Sequence, residues 1–384
     1  MAQTKGSTAA LPILLSLPVF GAIMEACRRS LGLPEFVRSV DNALQEKYSR
    51  QVLFAGIGVQ GQERLLAASA VVVGCGAIGA AAANLLVRAG IGRLRIIDRD
   101  FVEPSNLQRQ TLFDESDARE ALPKAVAAER KLRSINSNVS VEGVVADLGP
   151  RNVADLLSGF DLILDGTDNF ETRFLVNDFA VKFSRPWIYA AGVGSYGLTM
   201  VIRPEITPCL ACLLEHGVER GVGQGLNETC DTVGVIGPIV NLVASLEVAE
   251  ALKILSGHED ALHGRLITSD VWSGHMQSMR IPRNPQCRAC AKKDFIYLDG
   301  EAQPHITMCG RDSVQIHERS RTLDLASLRN LLTPVVSDVR HNDFLLRFRI
   351  PPYEMTVFSD GRAILKGTTD PAVARSLYAR YIGA

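Results

Sequence analysis

The chain has 384 residues, enough for one α/β domain of about 250 residues and a smaller unit, with a core that can stand without disulfides. Its 41 Lys plus Arg against 42 Asp plus Glu leave a formal charge of -1, which excludes a global attraction to nucleic acid or an anionic membrane and makes any phosphate site a local one. The eight cysteines are few for the length, and four form two C-x-x-C pairs, a pattern of metal ligation in a reducing compartment; a cytoplasmic location is expected.

In chain order, residues 11–24 (LPILLSLPVFGAIM) form an apolar run, shorter than the ~18–20 residues of a membrane span and interrupted by Pro12 and Pro18. Residues 1–43 therefore read as an N-terminal extension rather than a signal. From Ala70 the pattern becomes regular. The run AVVV (70–73) predicts a strand, residues 77–89 an alanine-rich helix, and LRIID (94–98) a second strand, which together make one β-α-β unit. A helix is predicted from Pro123 to about Ile135, then a strand at 139–147, a short helix near 151–158 and a buried strand at 161–166. Strands alternating with helices predict a Rossmann-like, doubly wound parallel sheet. Two strands, 186–194 and 197–204, and a helix at 241–255 follow, so the second half is mixed. Beyond Cys290 the sequence turns polar. A strand near 306–310, a helix at 323–332 and a final hairpin with an Asp-Gly turn (EMTVFSDGRAILKG) predict a small α+β appendage over residues 305–384, after a main domain at 44–298.

Residues 74–79 (GCGAIG) match G-x-G-x-x-G between a predicted strand and a predicted helix, where Gly74, Gly76 and Gly79 let the backbone approach phosphates at the helix N-terminus. Asp98 ends the second strand, nineteen residues past Gly79, where it can accept ribose hydroxyls. These features define a nucleotide site but do not separate ATP from a nicotinamide cofactor. The clusters SNLQRQ (105–110), Lys124 after Pro123, and DGTDN (165–169) favour ATP. Adenylyl transfer needs cations on the phosphates, here Arg109 and Lys124, and an acid for Mg²⁺, here Asp168. A carboxylate nucleophile is already ionised at pH 7, so no general base is required.

Cys209-x-x-Cys212 and Cys287-x-x-Cys290 offer four thiolates in turn-like sequence, suited to a closed tetrahedral Zn²⁺ site. Cys230 lies apart from them, in a glycine-rich stretch at 217–237.

The combination of YSRQ (48–51), GCGAIG, SNLQRQ, Pro123–Lys124, DGTDN and the paired cysteines resembles the MoeB/ThiF/HesA family, bacterial relatives of the ubiquitin-activating enzymes, over residues 45–295. The resemblance implies ATP-dependent adenylation of the C-terminal glycine of a ubiquitin-like sulfur-carrier protein, ThiS- or MoaD-like, for thiamine or molybdopterin synthesis. At the matching positions it implies that Gly76 and Asp98 hold the nucleotide and that Ser105, Asn106 and Arg109 contact its phosphates. Lys124 would neutralise charge at the α-phosphorus, and Asp168, with Asn169 beside it, would organise Mg²⁺. Arg50 matches an arginine inserted into the partner subunit's ATP site, which implies a homodimer. Cys230 matches a loop cysteine that forms an acyl-disulfide with the carrier or takes up sulfur. The tail has no cysteine after Cys309, unlike the rhodanese domains fused to some relatives, and resembles longer ThiF-like proteins of the Bacillus type; sulfur is therefore expected from an external donor. An NAD-dependent oxidoreductase and a non-catalytic carrier-binding adaptor are the competing readings.

Overall fold

The computed structural model describes residues 42–214, 233–300, 307–308, 313–316 and 323–383. They belong to two units, Met1–Arg50 and Gln51–Ala384. The N-terminal extension predicted at 1–43 lies almost wholly outside the described residues, and the first unit is described only as part of the helix Asn42–Val52.

The larger unit is built on eight strands: β1 (Ser69–Val73), β2 (Arg93–Asp98), β3 (Ser140–Val145), β4 (Leu162–Asp165), β5 (Trp187–Val193), β6 (Tyr196–Ile202), β7 (Leu266–Asp270) and β8 (His275–Met279). Their order is β3-β2-β1-β4-β5-β6-β7-β8. The first five are parallel, while β5 to β8 continue the sheet as antiparallel neighbours. The valines of β1 explain why it sits at the centre. Ala70 and Val72 face one apolar layer, closed by the helices Ala77–Ala89 and Gly237–Ser256; Val71 and Val73 face the other, closed by Phe179 and Trp187. A strand covered on both sides needs apolar residues at every position, and each buried valine contributes roughly 1.5–3 kcal/mol. The helix Gly237–Ser256 lies close on the sheet because Gly197 carries no side chain: a Cβ there would meet Val243 at 2.4 Å.

The sequence reading misses β7 and β8. Strand β8 is exposed along its whole length at the sheet edge, so it has no apolar alternation to mark it. The segment around Cys209, read as a turn, forms the helix Leu210–Leu214.

A second sheet contains β9 (Thr307–Met308), β10 (Ser313–Ile316), β11 (Ser337–His341), β12 (Leu345–Ile350), β13 (Tyr353–Phe358) and β14 (Ala363–Lys366), in the order β11-β12-β13-β14-β10-β9 with antiparallel pairing. The expected hairpin is β13–β14, turned at Asp360 and Gly361, where the glycine takes φ +86°. The helices Leu325–Leu332 and Pro371–Tyr381 flank it, each capped by an aspartate (Asp324, Asp370), and close a separate core around Phe348, Met355, Val357 and Leu365. No helix among the described residues is long and apolar enough to cross a membrane.

Candidate nucleotide and metal sites

Strand β1 is flanked by β2 on one side and β4 on the other, so successive crossovers leave it in opposite directions and a crevice opens at the carboxyl ends of these strands. The glycine turn stands there. Gly74 takes φ +86°, and a Cβ on it would lie 2.5 Å from the carbonyl oxygen of Gly166, just past β4. A Cβ on Gly79 would fall 1.9 Å from the Gly74 carbonyl oxygen. Only glycine permits this packing. Gly76 is the N-cap of the helix Ala77–Ala89 and provides no side-chain cap, and a Cβ there would meet nothing nearer than 3.7 Å. The first amides of that helix are therefore available to an anion, with the positive end of the helix dipole behind them.

Asp98 braces this turn. One carboxylate oxygen accepts from the Cys75 amide and the other from the Asp100 amide, both at 2.6 Å. Burial pushes its pKa up, while Lys124 opposes the rise. Cys75 is fully buried, and burial holds its thiol protonated, in keeping with a space-filling role.

The crossover after β2 brings the predicted phosphate contacts together. The turn Pro104–Asn106 is closed by a reciprocal cap between Glu103 and Asn106, Asn106 accepting from the Glu103 amide at 3.1 Å. Asn106 is 1 % exposed, and its side-chain nitrogen has no hydrogen-bond partner among the described residues. Ser105 is exposed, and Arg109 donates to its carbonyl at 2.9 Å. Lys124, 4 % exposed, starts the helix Lys124–Ile135 and reaches Asp100 at 3.1 Å. Burial works against its charge, but Asp100 and Asp98 outweigh it and raise the pKa, so the ammonium is permanent. Arg99 pairs with Asp147 at 2.8 Å.

The turn after β4 is held from beneath. Asp165 accepts from the amide and hydroxyl of Thr167 and from Arg173 Nε at 2.9 Å; Arg173 also donates to the Thr167 and Ala190 carbonyls. This leaves Asp168 exposed at the tip, where its charge acts on Lys124, Arg99 and Arg173 together. Asn169 caps the helix Phe170–Lys182, accepting from the Thr172 amide at 2.8 Å. Below lies Glu247, fully buried, with one oxygen on the Asp165 amide at 3.0 Å and the other without a partner among the described residues. Sequence reasoning missed Asp100, Arg173 and Glu247 and gave Asp165, the first residue of the DGTDN cluster, no role of its own; the acid–base–acid run at 98–100 signals the first of these. Arg50 is exposed on the helix Asn42–Val52, and Cys230 lies outside the described residues.

The four cysteines converge on the opposite face of the sheet. Cys209, Cys212, Cys287 and Cys290 are buried, and all four sulfur atoms lie within 4.8 Å of one another. Sγ pairs stand at 3.6 Å for Cys209–Cys287 and 3.4 Å for Cys212–Cys290, near the edge of about 3.8 Å expected for a tetrahedron of Zn–S bonds. The thiols share their protons: contacts with Cys209 and Cys212 lower the pKa of Cys287, whereas contacts with Cys212, Cys287 and Cys290 raise that of Cys209. A divalent cation would displace the protons that remain. Arg288, between the second pair, ties the knuckle to buried Asp178 at 3.1 Å.

The fold and these two centres define a Rossmann-type nucleotide-binding protein with a four-cysteine knuckle. The ThiF family model matches residues 48–289, and the chain belongs to the ThiF family. It is 45 % identical over 341 residues to the sulfur carrier protein ThiS adenylyltransferase of Bacillus subtilis, covering 88 % of this chain and 99 % of that protein. It is 37 % identical to the sulfur carrier protein adenylyltransferase of Thermus thermophilus, over 64 % of this chain and 90 % of the relative. Among solved structures it is similar to Escherichia coli MccB crystallised with ATP, with a TM-score of 0.58 at 24 % identity over 72 % of this chain and 82 % of MccB, a likeness of fold.

Proposed function

We propose that this protein adenylates the C-terminal glycine carboxylate of a ubiquitin-like sulfur-carrier protein at the expense of ATP, releasing pyrophosphate and leaving a mixed anhydride that accepts sulfur. The observation that carries the reading is the convergence of permanent cations, Lys124 and Arg99, with exposed Asp168 beside an uncapped glycine turn at the switch point of the sheet. The oxidoreductase reading loses its support, because the curated relatives described above are adenylyltransferases. An adaptor without turnover would not need these charges held so firmly.

In this reading Gly74, Gly76 and Gly79 admit the phosphates, and Asp98 receives the ribose. The unpartnered Asn106 amide, Ser105 and Arg109 contact the phosphate oxygens. Lys124 stabilises the negative charge that grows on the α-phosphoryl group as the carboxylate attacks. Asp168 would hold Mg²⁺, which neutralises phosphate charge, while Asn169 fixes the start of the next helix so that Asp168 keeps its position. The cysteine tetrad would hold a structural Zn²⁺ with no open position. Arg50 completes the partner subunit's ATP site in a homodimer, Cys230 handles the acylated carrier, and sulfur comes from a separate donor. The reduced, closely packed thiols fit a cytoplasmic protein.

The test is ATP–pyrophosphate exchange with ThiS-like and MoaD-like carriers, each intact and lacking the last glycine. Exchange should require an intact carrier; absence of exchange with both would remove the reading. Cys230→Ala should retain exchange, since the thiol acts after the anhydride forms.

A further inference from the structure

The crossover that carries Ser105, Asn106 and Arg109 is a loop closed at its base. Phe101 bridges Pro123, and the Val102 amide donates to the Leu122 carbonyl at 2.8 Å. The second sheet grips this base from both sides. Phe101 and Ala121 are buried in one cluster with Leu345, Phe358 and Ile364, and the Arg347 guanidinium stands 5.4 Å over the Phe101 ring. On one side Lys366, at the end of β14, pairs with Glu103, the residue whose side chain caps the Pro104–Asn106 turn. On the other, the Asn342 side chain donates to the carbonyls of Glu120 and Ala121 at 2.9 and 3.2 Å, fixing Ala121 in a left-handed conformation at φ 47°, three residues before Lys124.

We propose that the C-terminal sheet is a positioning element for the nucleotide-phosphate loop: Lys366 and Asn342 hold the two ends of the segment 101–123, and thereby set the Ser105–Asn106 turn and Lys124. The module is part of the adenylation site's support rather than a separate carrier-docking appendage. This inference rests on the assignment of that loop to the phosphates. The Lys366 ammonium orients the Glu103 carboxylate, and an oriented carboxylate is the better cap for the turn. The Asn342 amide removes the freedom of a strained residue that would otherwise relax into the loop.

The test is pyrophosphate exchange by the full-length protein with a Gly-Gly carrier, for Lys366→Met, Lys366→Arg, Asn342→Asp and Arg109→Ala. Lys366→Met and Asn342→Asp should each raise the KM for ATP about fivefold, with kcat and the KM for carrier within about twofold of the parent. Lys366→Arg should restore most of the loss, and amide exchange of residues 103–110 should quicken in Lys366→Met. Asn342→Asp keeps the acceptor used within its own turn, so it carries the comparison if Lys366→Met does not accumulate. An unchanged KM for ATP, or a rise confined to the carrier, overturns the proposal. Arg109→Ala separates the two levels. If it abolishes exchange while the other variants are silent, only the positioning role is lost; if it too is silent, the loop is not the phosphate site.

Discussion

Gly79 shows how strictly single residues are constrained around the glycine turn. With a Cβ bound to overlap the Gly74 carbonyl, Gly79→Ala must move β1 away from its helix, and should cost about 3 kcal/mol or more, measured by denaturant unfolding. A variant of parental stability would mean that the turn adapts. Asp168 is the opposite case, exposed and outside the core. Asp168→Ala should keep the unfolding midpoint and lose about a thousandfold in exchange rate, and appreciable residual exchange would remove it from the metal-binding role. Glu247 connects the site to pH. Burial, and then the charge of Asp165, push its pKa well above the usual carboxylate range. Because the folded state holds this proton more tightly than the unfolded chain, its contribution is complete below about pH 4.3 and declines as pH rises toward the folded-state value. Glu247→Gln keeps the acceptor for the Asp165 amide and should melt about 3 °C above the parent at pH 8, with the difference shrinking toward pH 5. A pH-independent difference would contradict this. The glycine turn is legible in the sequence because its geometry is local. Glu247 is not, since its partner lies 82 residues away and only the packed fold brings them together.

The elements divide in the same way. The β-α-β unit around β1 announces itself through a valine run, a glycine turn and an alanine-rich helix ended by Gly90 in a left-handed conformation. The hairpin β13–β14 is equally open to reading through its Asp-Gly turn, whereas β8 has no buried face to betray it and β11 is mostly polar. The cysteine pairs are legible by spacing, but not the Arg288–Asp178 pair that seats them on the helix Phe170–Lys182. That helix is also capped by Asn169, next to Asp168, so the cysteine cluster supports one wall of the proposed nucleotide crevice. Purified protein should contain about one zinc per chain, and its removal by a chelator should lower the melting temperature by about 10 °C. Metal-free protein with an unchanged transition would show that the thiols pack without an ion.

For the whole molecule, the proposed dimer makes a numerical prediction. If Arg50 acts across the interface, Arg50→Ala and Asp168→Ala proteins are each inactive, but their mixed dimer contains one intact site. Random exchange of subunits should therefore recover about a quarter of parental activity. Recovery of none would return Arg50 to its own subunit's site, and an active Arg50→Ala protein would place it on the surface. Another consequence follows from the knuckle, whose two halves are separated by 78 residues of chain. The chain between them leaves and returns to one point, and carries the helix Gly237–Ser256, packed on the main sheet, and β7, paired with β6. Expressed as two polypeptides cut between the halves, the protein should therefore reassemble through the packing of that helix and the pairing of β6 with β7, and an ion in the tetrad would add a second clasp, so that a chelator should weaken the association without abolishing it.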